Sequence, residues 1–550
     1  MSYEIDEKTP TPMVTDIPYP MTGEEPEYDS MQNGTGHGET RRGLKSRHVQ
    51  LIALGGCIGT GLFVGSGTIL SRSGPGSLFV AYCIMSFVIW SVMNALGEMT
   101  TYLPIHGASP TMYVHRFSDP STAFATGWNY WYSYAFLVPS EITAAAIVIE
   151  YWTDKVPTAV WIAIIWVVIV LLNVTFVKLF GETEFWFASI KIIAICGLII
   201  LGIVIFFGGA PTHDRLGFRY WKNGDAFKEY IVTGPSGRFC GFWNAIIRSG
   251  FSFIMSPELI TIAAGETEAP RRNVPKATSR FIYRLLFFYI FGSLVIGTIV
   301  SSHNDHLLNG SGNASASPFV IGIQNAGIHV LNHIVNAVIL TSAWSSGNSF
   351  LFAGSRTLYS LAVSGQAPRI LGYCTPWGVP IVAVACTAAI ALLAFLNVSS
   401  SSSNVFTWFT NLSTVSGFLA WLAVLAAYIR WRKALQYQGI DDTRPYKTPW
   451  QPYTSYITFV FVFILAISNG FNVFVGGSFN ASDFVAAYIT LPLFVILYIG
   501  HKIWTKNWQL FIPLEKVDLI SGLDEAERTE AMYPEREPRN FIEKVWFWIA

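Results

Sequence analysis

Apolar residues along this chain gather into long runs separated by short polar stretches. A helix rises about 1.5 Å per residue, so roughly 20 mostly apolar residues cross the hydrocarbon layer of a bilayer. Twelve runs meet that length: about 48–70, 77–100, 121–150, 158–177, 186–208, 242–264, 281–302, 328–362, 379–397, 404–430, 454–475 and 482–503. The third and eighth are long enough to tilt or to project beyond the bilayer. Residues 1–47 are polar, acidic and rich in Pro and Gly, the composition of a disordered tail, and carry no cleavable signal peptide. The pattern predicts an all-α integral membrane protein: an N-terminal tail over 1–47, a domain of twelve transmembrane helices over 48–503 and a C-terminal tail over 504–550.

Composition supports a lipid-facing surface. Only 13% of the residues are charged, against about 25% in a typical soluble protein. Aromatic residues make up 15%, with 19 Trp, which suits a molecule anchored at two membrane interfaces. The aromatic group Trp128, Tyr130, Trp131, Tyr132 and Tyr134 reads as such an interfacial belt. Formal net charge is zero, so nothing points to nucleic acid. The cysteines sit mostly in apolar runs without ligand spacing and read as buried apolar residues; neither a metal site nor a disulfide framework is expected.

Basic residues set the orientation. Arg41, Arg42, Lys45 and Arg47, then Arg271, Arg272, Lys276 and Arg280, then Arg430, Arg432, Lys433, Arg444 and Lys447 fall on one side, together with both tails. The opposite loops at 303–327, 398–403 and 476–481 hold none. The loop over 209–241 departs from this with five basic residues, balanced in part by Asp214, Asp225 and Glu229. Both termini are therefore expected in the cytosol. The sequons at Asn309, Asn313, Asn397 and Asn480 fall on the outer face, where a glycan could be added, although such triplets also arise by chance.

Two runs are interrupted. The first contains Gly55, Gly56, Gly59, Gly61 and Gly65, five glycines within eleven residues. Glycine costs roughly 1 kcal/mol relative to alanine in a helix interior, so local unwinding is favoured. In lipid that is tolerable only where the freed backbone groups meet protein, water or a ligand. Donors at a half-helix N-terminus suit a carboxylate. Close helix packing through small residues is the alternative. Gly59-x-Gly61 also resembles the start of a dinucleotide fingerprint, but it lacks the preceding strand. The sixth run reads Arg248-Ser249-Gly250-Phe251-Ser252-Phe253-Ile254-Met255-Ser256-Pro257-Glu258, where Pro257 removes a donor and disrupts the preceding turn. The interruptions fall in spans one and six, five helices apart. That spacing points to runs one to five and six to ten as an inverted repeat, with two added helices, and to a transport site between the breaks.

Ionisable groups within the runs cost roughly 2.5–3.5 kcal/mol each on insertion scales and are rarely idle. Lys191 lies about one and a half turns into the fifth run; it either snorkels to the interface or acts as a switchable cation beside the first break. Glu141 is a structural acid or a proton carrier. Glu258 follows the second break and suits a gate or proton relay, whereas Glu98 suits a structural role. Arg248 either attracts a substrate carboxylate or snorkels outward.

The residues also resemble a known family. Arg47-His48-Val49-Gln50-Leu51-Ile52-Ala53-Leu54-Gly55-Gly56 through Gly61-Leu62-Phe63, then Gly127-Trp128-Asn129-Tyr130-Trp131, Gly181-Glu182 and Glu184-Phe185-Trp186-Phe187-Ala188-Ser189-Ile190-Lys191 match it. So do Gly265-Glu266, Pro270-Arg271-Arg272-Asn273-Val274-Pro275-Lys276-Ala277 and Gly365-Gln366-Ala367-Pro368. Together these resemble fungal, yeast-type amino acid permeases of the amino acid–polyamine–organocation superfamily. The resemblance implies twelve helices with two inverted five-helix repeats, LeuT-like, plus two extra helices. It implies proton-coupled uptake of amino acids at the plasma membrane, driven by the proton gradient with no cofactor or metal. Carried over, Gly59, Thr60 and Gly61 would meet the substrate carboxylate. Phe253, Ser256 and Glu258 would meet the amino group and side chain, and Lys191 with Glu141 would couple the proton. The Pro257-Glu258 pair resembles the proline and small neutral amino acid branch, although Met255-Ser256 departs from that branch's usual Leu-Gly. A nutrient sensor of the same fold and a carrier of an amine such as γ-aminobutyrate remain as alternatives. No enzyme is expected, because no nucleophile–base set is present.

Overall fold

The computed structural model describes residues 59–104, 110–153, 155–174, 177–254, 258, 270–308, 317–399, 402–441, 444–475, 479–532 and 540. Residues 48–58 of the first run, Ser256 and the sequons at Asn309 and Asn313 lie outside them. Within the described residues every regular element is helical.

The described part of the first run begins at Gly59. Gly61–Gly65 form a π-helical turn that runs into helix α1, Ser66–Tyr102. Single π turns of this kind recur at functional sites. Helix α1 bends at Gly74, whose φ of 85° and ψ of 166° suit only glycine, and Pro75 follows. The first and second runs are thus two helical segments, 66–73 and 75–102, that meet at the non-helical Gly74. The loop over 209–241 is fastened to the bend: Ala226 O accepts from Gly76 N at 2.8 Å and Ser77 N at 3.2 Å. These are first-turn donors of the second segment that lack partners within the helix.

A short helix α2, Pro110–Phe117, leads into α3, Pro120–Glu150. Asp119 caps α3 by accepting from Thr122 N at 2.9 Å, and Pro120 sits where its missing N–H costs nothing. Then come α4, Thr158–Val174; α5, Val177–Phe206; α6, Gly234–Phe251; and α7, Pro270–Ile299. The remaining helices are α8, Pro318–Asn325; α9, Leu331–Val363; α10, Ile381–Ala391; and α11, Ser402–Tyr437. The chain continues through α12, Tyr453–Ser468; α13, Ala481–Tyr488; α14, Thr490–Thr505; and α15, Leu523–Met532.

Helices α1, α3, α9 and α11 form the centre: α3 packs along α9 and α11, and α1 along α6 and α7. The outer helices turn apolar side chains outward. Leu171, Ile193, Ile200, Val460 and Ile496 are each at least 58% exposed, a surface that suits acyl chains and not water. Seven described helices are long and apolar enough to cross a bilayer. An eighth is added when α13 and α14, which meet at 44°, count as one span. Helix α9 is more polar because it faces inward: Ser342, Ser345, Ser346, Asn348 and Ser349 on it are all buried.

Two further features brace one end of the bundle. Glu98 is buried and accepts from Tyr428 Oη at 2.7 Å, Arg444 Nη1 at 3.1 Å, and Thr448 through N at 2.7 Å and Oγ1 at 2.6 Å. Arg432 stands 3.5 Å away. Glu98 is the hub of a structural ion cluster that joins α1 to α11. The C-terminal segment then crosses the same end: Ile512 N bonds to Ser118 O, Arg116 to the carbonyls of Asp518 and Ser521, and Tyr102 Oη to Leu519 O. Val517 and Leu519 are buried beneath it. The sequence showed this stretch only as a polar tail.

The structure corrects the aromatic belt. Tyr130 and Tyr134 are buried inside the bundle, at 3% and 5% exposure. Trp131 Nε1 bonds to Thr387 Oγ1 at 3.1 Å and Trp128 Nε1 to Gln366 O at 3.2 Å. These rings bind helices together because α3 is central, and a local sequence pattern does not show whether a helix lies inside or outside the bundle. Most of the cysteines are half-buried; Cys374 is fully buried, and Cys57 lies outside the described residues.

Candidate functional site

The sixth run breaks where the sequence placed the break. Helix α6 ends at Phe251, and its ladder gives way to tighter turns: Ser252 N, Phe253 N and Ile254 N reach back only three residues, to Ser249, Gly250 and Phe251. The segment Gly59–Gly61 lies directly against this point. A Cβ on Gly61 would stand 2.8 Å from both Ser252 Cα and Ser252 Oγ, so only glycine allows the two backbones to approach this closely. Tyr82 and Tyr289 hold Ser252 in place: Tyr82 Oη lies 2.8 Å from Ser252 Oγ, and Tyr289 Oη donates to Ser252 O at 2.6 Å.

Helix α3 supplies an acid to the same place. Thr60 Oγ1 donates to Glu141 Oε1 at 2.9 Å, and both residues are buried. A Cβ on Gly59 would meet Glu141 Oε1 at 3.3 Å and Ser346 Oγ at 3.2 Å. Ser346 in turn accepts from Lys191 Nζ at 3.1 Å. Lys191 is fully buried, so it does not snorkel. Thr60, Glu141, Gly59, Ser346 and Lys191 are therefore contiguous, joining α3, α5 and α9 around the first break.

Between Gly59–Gly61 and the end of α6 lies a narrow, nearly closed cleft with an unfilled volume of about 10 Å³, lined by Gly59, Gly61, Leu137, Glu141, Phe251, Ser252, Ile254 and Phe350. That is the space of about one water molecule, so the structure holds the cleft closed. It has one carboxylate, one hydroxyl and otherwise apolar or backbone walls.

Several residues singled out in the sequence lie elsewhere. Phe253 is fully buried between Tyr82 and Tyr289, with ring centroids 5.8 and 4.4 Å away, and its neighbours Phe251, Ser252 and Ile254 line the cleft instead. Glu258 is buried and accepts from Tyr130 Oη at 3.1 Å. Arg248 donates to Asn244 Oδ1 at 3.1 Å, one turn back on α6, and does not line the cleft. Sequence reasoning named Ser252 only as a weak point of the sixth run and did not single out Ser346, Leu137, Ile254 or Phe350. The cluster on Tyr130 was visible as an aromatic run but was assigned to the wrong environment.

A bundle with apolar outward faces, a polar centre and a narrow cleft where Gly61 meets Ser252 defines a multi-pass membrane protein. A solved manganese transporter of Eremococcus coleocola has a similar fold, with a TM-score of 0.53 over 85% of this chain and 96% of that one; at 14% identity the likeness concerns the fold alone. The chain belongs to the amino acid permease family, whose pattern it matches over residues 48–514. It is 66% identical to a probable proline-specific permease of Schizosaccharomyces pombe, over 90% of each chain. It is 55% identical to a proline-specific permease of Emericella nidulans, covering 93% of this chain and 94% of that one. A lysine-specific permease of Saccharomyces cerevisiae is 41% identical over 93% of this chain and 83% of the relative.

Proposed function

We propose that the protein is a proton-coupled importer of proline and other small neutral amino acids, with twelve spans, a plasma-membrane location and both termini in the cytosol. The observation that carries this reading is the close approach of Gly61 to Ser252, which sets the glycines of the first run against the end of α6 beside a narrow cleft that holds Glu141. The high identity to proline-specific permeases supports the substrate class. Backbone donors at Gly59, Thr60 and Gly61 take the carboxylate, as half-helix N-termini do in transporters. Glu141 faces the amino group, and Leu137, Phe251, Ile254 and Phe350 enclose the carbons.

Fixed donors and one acid favour a zwitterion, while apolar walls leave a charged side chain without a partner, which is costly. Two inverted five-helix repeats move about this site, exposing it to each side in turn. The proton enters through Glu141, which accepts from Thr60 Oγ1, and Lys191, which donates to Ser346 Oγ on the other side of Gly59. Glu258 and Tyr130 brace the segment after the second break.

Reconstituted protein taking up labelled proline tests this. Uptake is expected to rise with an inward proton gradient. Excess unlabelled alanine or glycine should compete, and lysine or glutamate should not. Uptake displaced equally by lysine would overturn the substrate class, and uptake indifferent to the gradient would overturn proton coupling.

A further inference from the structure

A second acid, Glu184, stands on the same face of α5 as Lys191, seven residues and two helical turns nearer the start of that helix. Both are fully buried. Glu184 is held from α9 by Ser345 Oγ at 2.8 Å and Asn348 Nδ2 at 2.9 Å, and Asn348 Oδ1 is held in turn by Asn173 Nδ2 of α4 at 2.8 Å. Ser342, Ser345, Ser346 and Ser349 recur on α9 at the spacing of one helix face, so hydroxyls lie along the interval between the two charged groups. Lys191 bonds to Ser346, and Glu184 to the adjacent Ser345.

Among the described residues, the groups facing Glu184 from α9 and α4 are neutral. Lys191 is the charged residue on its own helix that acts on it, and Glu141 approaches Lys191's partner Ser346 from α3. A carboxylate at zero exposure with neutral neighbours is expensive to keep. A purely structural hydrogen-bonding post would be served as well by Gln.

We propose that Glu184 is the exit carrier of the coupled proton, standing between Lys191 and the cytosol. This rests on the proton-coupled reading and orientation given above. The Lys191 ammonium gives up one proton along the hydroxyls of the α5–α9 interface, leaving a neutral amine. The Glu184 carboxylate takes that proton and becomes a neutral acid. On inward opening it releases the proton to cytosolic water and is again a carboxylate. Charge and atoms balance, and no further reactant is needed. Ser345, Asn348 and Asn173 are positioning residues that keep the carboxylate on this line.

The test compares wild type with Glu184→Gln and Glu184→Asp in proteoliposomes, using two readouts on each preparation. One is exchange of labelled for unlabelled proline with no gradient. The other is accumulation of proline driven by an imposed proton gradient. Glu184→Gln is expected to exchange within about twofold of wild type but to lose at least tenfold of gradient-driven accumulation, with Glu184→Asp restoring part of it. Glu184→Gln accumulating like wild type would overturn the proposal. So would Glu184→Gln and Glu184→Asp both losing exchange in parallel with accumulation, since that marks a structural post. Wild type exchanging proline with no response to the gradient would instead bring down proton coupling itself, and this inference with it.

Discussion

Thr60 and Glu141 show how much a single side chain decides in this site. The hydroxyl of Thr60 donates to Glu141 Oε1 at 2.9 Å, and both residues are buried. Leaving a buried acceptor without its donor costs roughly 1–3 kcal/mol. Thr60→Val, which preserves shape, is expected to lower the apparent affinity for proline about tenfold, whereas Thr60→Ser should stay within a few-fold of wild type; saturation curves of initial uptake separate the two. The acids and the lysine were legible in the sequence because a charge in an apolar run is a rare and costly event. Ser252 and Ser346 were not, because serines are common in membrane helices and only the approach of Gly61 and Gly59 gives these two a role. Phe253 was placed one residue out of register, because a broken helix has no fixed period from which to read the direction of a side chain.

Elements impose a second set of constraints. At Gly74 the backbone adopts φ of 85°, and a Cβ there would stand 2.4 Å from Asp225 O. Gly74→Ala adds about 1–3 kcal/mol of backbone strain, in a region essentially reserved for glycine, to that clash, and it should lower the melting temperature of purified protein and detach the loop over 209–241. Faster proteolysis within 209–241 would show the second effect. Glu98 binds α1 to α11 through buried charges, and removing one member of such a group costs about 3–5 kcal/mol. Glu98→Ala is therefore expected to cut the yield of folded protein sharply, as read by size-exclusion profiles. Helices α3, α5, α7, α9 and α11 could be placed from apolar length alone. The direct abutment of the first two runs at Gly74 could not, since Gly-Pro marks a turn whether or not the helix resumes at once.

At the scale of the whole molecule, the bilayer explains the division between polar centre and apolar exterior. The long-range contacts of the C-terminal segment were invisible in the sequence because they depend on chain reversals more than 400 residues apart, such as Arg116 with Ser521. Burial would push the Asp518 carboxyl up, but hydrogen bonds from Ser521 and the nearby Arg116 outweigh it and hold the group below the usual carboxylate range. A depressed carboxyl stabilises the folded state above its unfolded value, near pH 4. The clasp should therefore hold at neutral pH and loosen only as pH falls through the lower folded value. Arg116→Ala should release it at neutral pH, exposing residues 509–532 to added protease without unfolding the bundle.

The central claim is that two broken segments meet to hold a small zwitterion at Gly59–Gly61 and Ser252. Equilibrium binding of labelled proline to purified wild type and to Gly61→Ala, with the fold of each checked by circular dichroism, tests it most directly. Saturable binding by wild type, weakened at least tenfold in a folded Gly61→Ala, is the predicted result. A folded Gly61→Ala that binds proline as tightly as wild type would contradict the account.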